Sequence, residues 1–147
     1  MSYCTSDDLV KRLGDAGILY VADDDADNVA SSDEREAAID EAIRAAGAEI
    51  DGSLLPHVNL PIAGTNDWLR QRAIDLASEH LAERRGSHPP ASLTNAAQRS
   101  RGWLEEVRLG TRRVPGLSYP SDRFDRETRH SSLPRVGNPT LPRERAR

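Results

Sequence analysis

The chain has 147 residues, room for one domain with an appendage, and a hydrophobic share of 37% with 4% aromatics permits only a small core. One cysteine, Cys4, excludes an intramolecular disulfide, and no Cys/His set has zinc-finger spacing. No apolar run approaches the roughly 18 residues of a membrane span, and the acidic opening lacks a secretion signal's basic–apolar order. These features point to a soluble protein of a reducing compartment, with no membrane among its partners.

Thr5 and Asp8 begin a short helix whose apolar side is Leu9, Val10 and Leu13, and Gly14 is expected to stop it after two to three turns. Cys4 reads as a small buried hydrophobe beside that cap. Ile18 to Val21 then make a short apolar run, either a turn of helix or an extended anchor.

The acidic stretch after it places Asp23, Asp25, Asp27 and Glu34 at positions 1, 3, 5 and 12 of an EF-hand-like spacing, a possible calcium loop. Position 6 is Asn28 instead of Gly, Gly14 and Gly17 interrupt the incoming helix, and Glu34 is wanted by the next helix start. A solvated linker is the preferred reading, and no cofactor is expected.

The longest element is a helix from Ser32 to Leu55. Ile39, Ile43, Ala46, Ile50 and Leu54 recur on one stripe, and Ser31–Glu34 and Asp33–Glu36 each fit a capping box. Pro56 to Pro61 give an extended link, and Thr65 or Asn66 caps a third helix over about 67–85, with Leu69, Ala73, Leu76, Ala77, His80 and Leu81 on one face. His80 there is a core or interface imidazole. After the Pro89-Pro90 hinge, a fourth helix over about 93–109 carries Leu93, Ala96, Ser100, Trp103, Leu104 and Val107 inward, and Gly110 ends it.

The fold class that follows is all-α: a small bundle of about four helices with one long central helix, plus an extended Pro/Arg-rich C-terminal arm. Residues 1–111 form the helical domain and 112–147 the arm. Charge divides at the same place. Residues 1–111 hold 11 Lys+Arg against 20 Asp+Glu, and 112–147 hold 9 against 4, balances of −9 and +5. Such a division favours an arm lying on an acidic neighbour or on phosphate. Prolines at 115, 120, 134, 139 and 142 exclude long helices from it, while Leu117, Tyr119, Phe124, Leu133, Val136 and Leu141 supply apolar anchors. The candidate partner-binding residues are Arg112, Arg113, Tyr119, Arg123, Phe124, Arg126 and Arg129, with the arginines pairing acids and the rings filling pockets.

No phosphate-cradling Gly-rich loop, G-x-S-x-G, H-E-x-x-H or catalytic Cys–His pair occurs, so the reading is non-enzymatic. Carboxylates are assigned almost entirely to solvated helix faces. A DNA-binding packaging protein using the tail arginines is the alternative, set against an acidic body with no basic helix face.

Tyr3-Cys4-Thr5 with Asp8-Leu9, the acidic loop, Ala48-Glu49-Ile50-Asp51-Gly52-Ser53-Leu54 and the following Leu60-Pro61-Ile62 resemble a Mu-like family of small tailed-phage proteins. Leu69 to Ala77, Trp103-Leu104 and the Phe124-Asp125-Arg126-Glu127-Thr128 element are similar to that family as well, so the likeness spans roughly residues 3–128. Ser53 departs from the family's usual aromatic, and residues 129–147 pass its familiar end. The resemblance implies a head–tail connector, or adaptor, of the virion neck, made in the host cytoplasm. It would form a ring, commonly of twelve copies, beneath the portal protein. That ring would extend the channel for genomic DNA and dock the next neck or tail completion protein.

Overall fold

A computed structural model of the chain describes residues 2–22, 31–84 and 89–119. Four helices account for most of them: α1 (Ser6–Ala22), α2 (Ser32–Leu54), α3 (Asp67–Glu83) and α4 (Ala91–Arg108). Among the described residues there is no strand. The class is all-α, as the apolar spacing predicts.

Local chemistry sets the helix ends. Ser31 Oγ accepts from the Glu34 N–H, and the Glu34 carboxylate accepts from the Ser31 N–H at 2.9 Å, a complete capping box at the start of α2. The second possible box, Asp33–Glu36, falls inside the first turn. Asn66 caps α3 by accepting from the N–H groups of Trp68 and Leu69. At the end of α4, Gly110 takes φ 74°, where a side chain would clash, and its N–H closes on Val107 O.

α1 differs from expectation. Gly14 adopts φ 75°, ψ 159° and breaks the helix as predicted, yet the chain resumes helical geometry at once and runs on to Ala22. The short run Ile18–Val21 is therefore helical, with Ile18 and Val21 buried. Glycine makes this possible because its backbone crosses the positive-φ region at no steric cost.

Named contacts fix the topology. Tyr3 donates to Asp51 near the end of α2, while Asp15 pairs with Arg35 at its start, so α1 and α2 run antiparallel. His80 meets Glu49 and Arg84 meets Glu41, which sets α3 antiparallel to α2. Arg72 lies over Trp103 and Asp75 accepts from Ser100, which sets α4 antiparallel to α3. α2 and α3 each touch all the other helices, whereas α1 and α4 do not touch one another. The long central helix thus shares the centre with α3. Its stripe of Ile39, Ile43, Ile50 and Leu54 is buried against α1 and α3 together with Leu69, Leu76 and Leu81. Each such side chain contributes about 1.5–3 kcal/mol.

Candidate interaction surfaces

Helix α3 carries three buried polar side chains, Asp75, Ser78 and Glu79, on the faces turned toward its neighbours. That corrects the assignment of almost every carboxylate to solvent. Asp75 accepts from Ser100 Oγ at 2.9 Å and from Gln71 at 3.3 Å, with Arg12 and Arg72 within 3.8 Å. The Arg72 guanidinium stacks 5.3 Å from the centroid of Trp103. Trp103 is consequently a packing anchor with a cation on its face.

One turn further along α3, charge ties three helices together. Arg101 of α4 donates to both oxygens of Glu49 on α2, at 3.0 and 3.3 Å, and its Nη1 lies 2.6 Å from Glu79 of α3. Opposite charge carries the Glu79 contact, whose carboxylate is almost wholly buried. His80 Nε2 is 2.7 Å from Glu49 Oε1, which supplies the partner that the sequence left unidentified. Burial pulls the Glu49 carboxyl upward, but hydrogen bonds from Arg101 and His80 outweigh it and hold the group below its usual range. The Arg101 guanidinium is raised in turn, chiefly by Glu49. Glu49, Glu79 and Arg101 escape a sequence reading because their pairing joins positions 22 to 52 residues apart.

The chain's start is anchored in the same manner. Arg70 donates to Asp8 through Nε at 3.1 Å and through Nη2, and Thr5 donates from both N–H and hydroxyl at 3.0 Å. These bonds, the Arg70 one foremost, lower the Asp8 carboxyl to about 2. Cys4 is buried, and burial with the nearby Asp8 charge raises its thiol to about 11, which suits a space-filling role.

The calcium-loop residues Asp23, Asp25 and Asp27 lie outside the described residues. Glu34 is committed to the capping box, where Ser31 Oγ lies 2.7 Å from its carboxylate. Among the described residues no group of three or more His, Cys, Asp or Glu is placed to hold a metal ion.

The arm begins differently from expectation. Val114 is buried in the core, and Leu117 and Tyr119 pack against it. Val114 N–H donates to Tyr119 Oη at 2.6 Å, Arg113 stacks 5.6 Å from the Tyr119 ring, Arg112 pairs with Glu106, and Asn66 donates to Pro115 O at 2.7 Å. Residues 112–119 are thus part of the packed body, and Arg112, Arg113 and Tyr119 are engaged within their own chain. The physical reason is the apolar trio Val114, Leu117 and Tyr119, which folds back over the α3–α4 end despite Pro115 and Gly116. Arg123, Phe124, Arg126 and Arg129 lie outside the described residues.

Two surface features remain open. Leu55, Trp68 and Leu109 are each at least half exposed at the end where α2 and α4 finish and α3 starts. His57 joins that end to α4 through Arg108 O at 2.9 Å. The signal was available: Leu55 and Trp68 sit one position off the buried stripes that end at Leu54 and start at Leu69. Elsewhere, a cleft of about 330 Å³ separates the first half of α2 from the last turns of α3. Ala38, Ala42, Ala45 and Leu81 form its apolar walls, and Glu41, Glu83 and Arg84 its rim.

Residues 3–128 match the family model described as bacteriophage Mu, Gp36. The chain belongs to the bacteriophage Mu Gp36 family. None of the curated proteins matches it. As a Gp36-family chain it is a phage protein, and the match takes in all four helices, the packed root at 112–119 and the Phe124–Thr128 element. Among the described residues no helix is long and apolar enough to cross a membrane. The Leu60–Pro61 peptide, within the most specific part of the family resemblance, is cis.

Proposed function

We propose that this Gp36-family protein is a structural, non-catalytic head–tail connector of a tailed phage. It assembles as a ring beneath the portal, extends the DNA channel and presents a docking surface to the next neck component. The observation that carries the reading is the family match over residues 3–128. Several features support it. The helical body is acidic, suited to letting DNA slide without gripping it, and the segment beyond the bundle is basic. The exposed Leu55, Trp68 and Leu109 give one end of the body an apolar face of the kind that subunit contacts cover. Trp is enriched among the residues that anchor interfaces.

The deciding experiment images the purified protein mixed with its portal by electron microscopy. The full chain should decorate the portal as a ring. A chain lacking residues 120–147, which keeps the packed Val114–Tyr119 root, should remain helical and fail to enter particles. Normal incorporation of that truncated chain would defeat the role given to the arm. Salt-sensitive duplex binding with no portal association would favour the packaging alternative instead.

A further inference from the structure

Three large apolar side chains stand uncovered at one end of the body, and two hydrogen bonds tie that end together. Leu55 is 63%, Trp68 50% and Leu109 54% exposed. His57, two residues past Leu55, lies 2.9 Å from the carbonyl oxygen of Arg108, the residue before Leu109. Asn66, two residues before Trp68, donates to the carbonyl oxygen of Pro115 at 2.7 Å. Apolar groups gathered at one end of a body mark a surface that something covers.

The described chain finishes at this same end. Beyond α4, Val114 is buried and Leu117 and Tyr119 pack on the core, with the Val114 N–H donating to Tyr119 Oη at 2.6 Å. The chain is thus already folding back over the start of α3. Its next large apolar side chain is Phe124, the single phenylalanine. The family match also runs to residue 128, past the last described residue, 119, so the family's shared unit takes in the Phe124 element. Residues 120–128 hold Asp122, Asp125 and Glu127 against Arg123 and Arg126, three acids to two bases, a balance of −1. Apolar contact, not charge, is what this segment has to offer.

Reach decides which copy is covered. Counted from Pro115, nine residues lead to Phe124, a span of at most about 30 Å when fully extended. Trp68 is only two residues from the Asn66 that holds Pro115, at most about 7 Å further. Phe124 therefore reaches the Trp68 of its own chain. A group tethered this closely is presented at roughly millimolar effective concentration, well above that of a dilute second copy.

We propose that residues 120–128 lie over this end of their own body, with the Phe124 ring against Trp68. Aromatic pairs of this kind pack edge-on or offset. The free chain covers by this means the face that the connector reading gives to a neighbour, and assembly exchanges one cover for the other. The contact itself does not depend on that reading, and its test needs no portal. Failure here with ring decoration of the portal would leave the connector standing, and the reverse pair of results would leave this contact standing.

The test uses the full chain at low concentration. Trp103 is buried, so quenching of indole emission by acrylamide reports chiefly on Trp68. Phe124→Ala should raise that quenching about twofold and shift the emission to longer wavelength. Unchanged quenching would overturn the proposal, as would an equal rise when Phe124→Ala is made in a Trp68→Phe background. With Phe124→p-benzoylphenylalanine in a mixture of ordinary and heavy-isotope-labelled copies, illumination should yield cross-linked peptides that contain Trp68 and join positions of a single copy. Mixed-isotope pairs, cross-links mapping elsewhere, or none at all would overturn it.

Discussion

Arg101 and Glu79 stand 2.6 Å apart between α4 and α3, and Glu79 keeps only 2% of its surface exposed. The same guanidinium also holds Glu49, so one side chain pairs with two carboxylates from two helices. Removing it strands a buried negative charge. Arg101→Met should therefore destabilise the fold by about 3 kcal/mol, the lower end of the range for a broken buried pair because Arg101 is itself part-exposed. Urea unfolding followed by circular dichroism measures this. A loss under about 0.5 kcal/mol would show that the tie is energetically idle.

Asp8 gives the fold an acid limb. Its carboxyl is lowered to about 2 in the folded protein, chiefly by Arg70, from an ordinary carboxylate value near 4 in the unfolded chain. A depressed folded value means the stabilisation is fully present above about pH 4 and drains away as pH falls toward 2. Glu49, lowered by Arg101 and His80 against its burial, acts in the same direction. Asp8→Asn should cost about 1 kcal/mol at pH 7, discounted because Arg70 is half exposed, and should flatten the loss of melting temperature between pH 4 and 2. An unaltered acid profile in Asp8→Asn would remove Asp8 from the account.

Ser78 is fully buried on α3, and its hydroxyl has no hydrogen-bond partner. Burying an unpaired hydroxyl is unfavourable, and alanine is also the better helix former. Ser78→Ala should raise stability by about 1 kcal/mol, read as a shifted urea midpoint with an unchanged slope. A destabilised variant would mean that the hydroxyl finds a partner in solution.

Tyr119 pins the end of the packed body through the Val114 N–H. Tyr119→Phe removes the acceptor and leaves that amide unpaired, a cost of about 1 kcal/mol. Amide exchange at Val114 should quicken by about tenfold while α2 and α3 retain their protection. Equal exchange in both proteins would show that the hydroxyl does not hold the segment.

Ser31 and Glu34 close the cap of α2 from both sides. Ser31→Ala should cost about 1 kcal/mol. Titrating the full chain with calcium should give no heat beyond dilution, since the carboxylate required at the twelfth loop position already serves the cap. Heat at micromolar to millimolar calcium would restore the metal-binding reading.

How far the sequence revealed this protein depended on the distance over which each feature is encoded. Ile39, Ile43, Ile50 and Leu54 announce α2 within a few turns, and Ser31 and Asn66 announce their helix starts within three residues. Local grammar was enough for these. The second half of α1 was ambiguous because Ile18 to Val21 is too short for a period to emerge. Asp75 and Glu79 read as surface residues because the groups that justify burying them, Ser100 and Arg101, arrive 22 or more residues later. Val114 reads as part of an arm because Pro115 and Gly116 look like a linker, whereas its burial depends on a segment that meets the start of α3, 49 residues earlier in the chain. The candidate site was the least legible part, since a cleft exists only once two helices face one another.

The neighbour-to-neighbour order of the helices carries a kinetic consequence. Each helix lies antiparallel against the one before it, so most of the packing joins stretches close in sequence. Chains built this way fold in the microsecond-to-millisecond range. The α2–α3 hairpin, which touches everything else, is the natural nucleus, with α1 and α4 condensing on it independently because they share no contact. A helical body of this design is finished well before it meets any other molecule at working concentrations, so a partner would meet surfaces that are already formed.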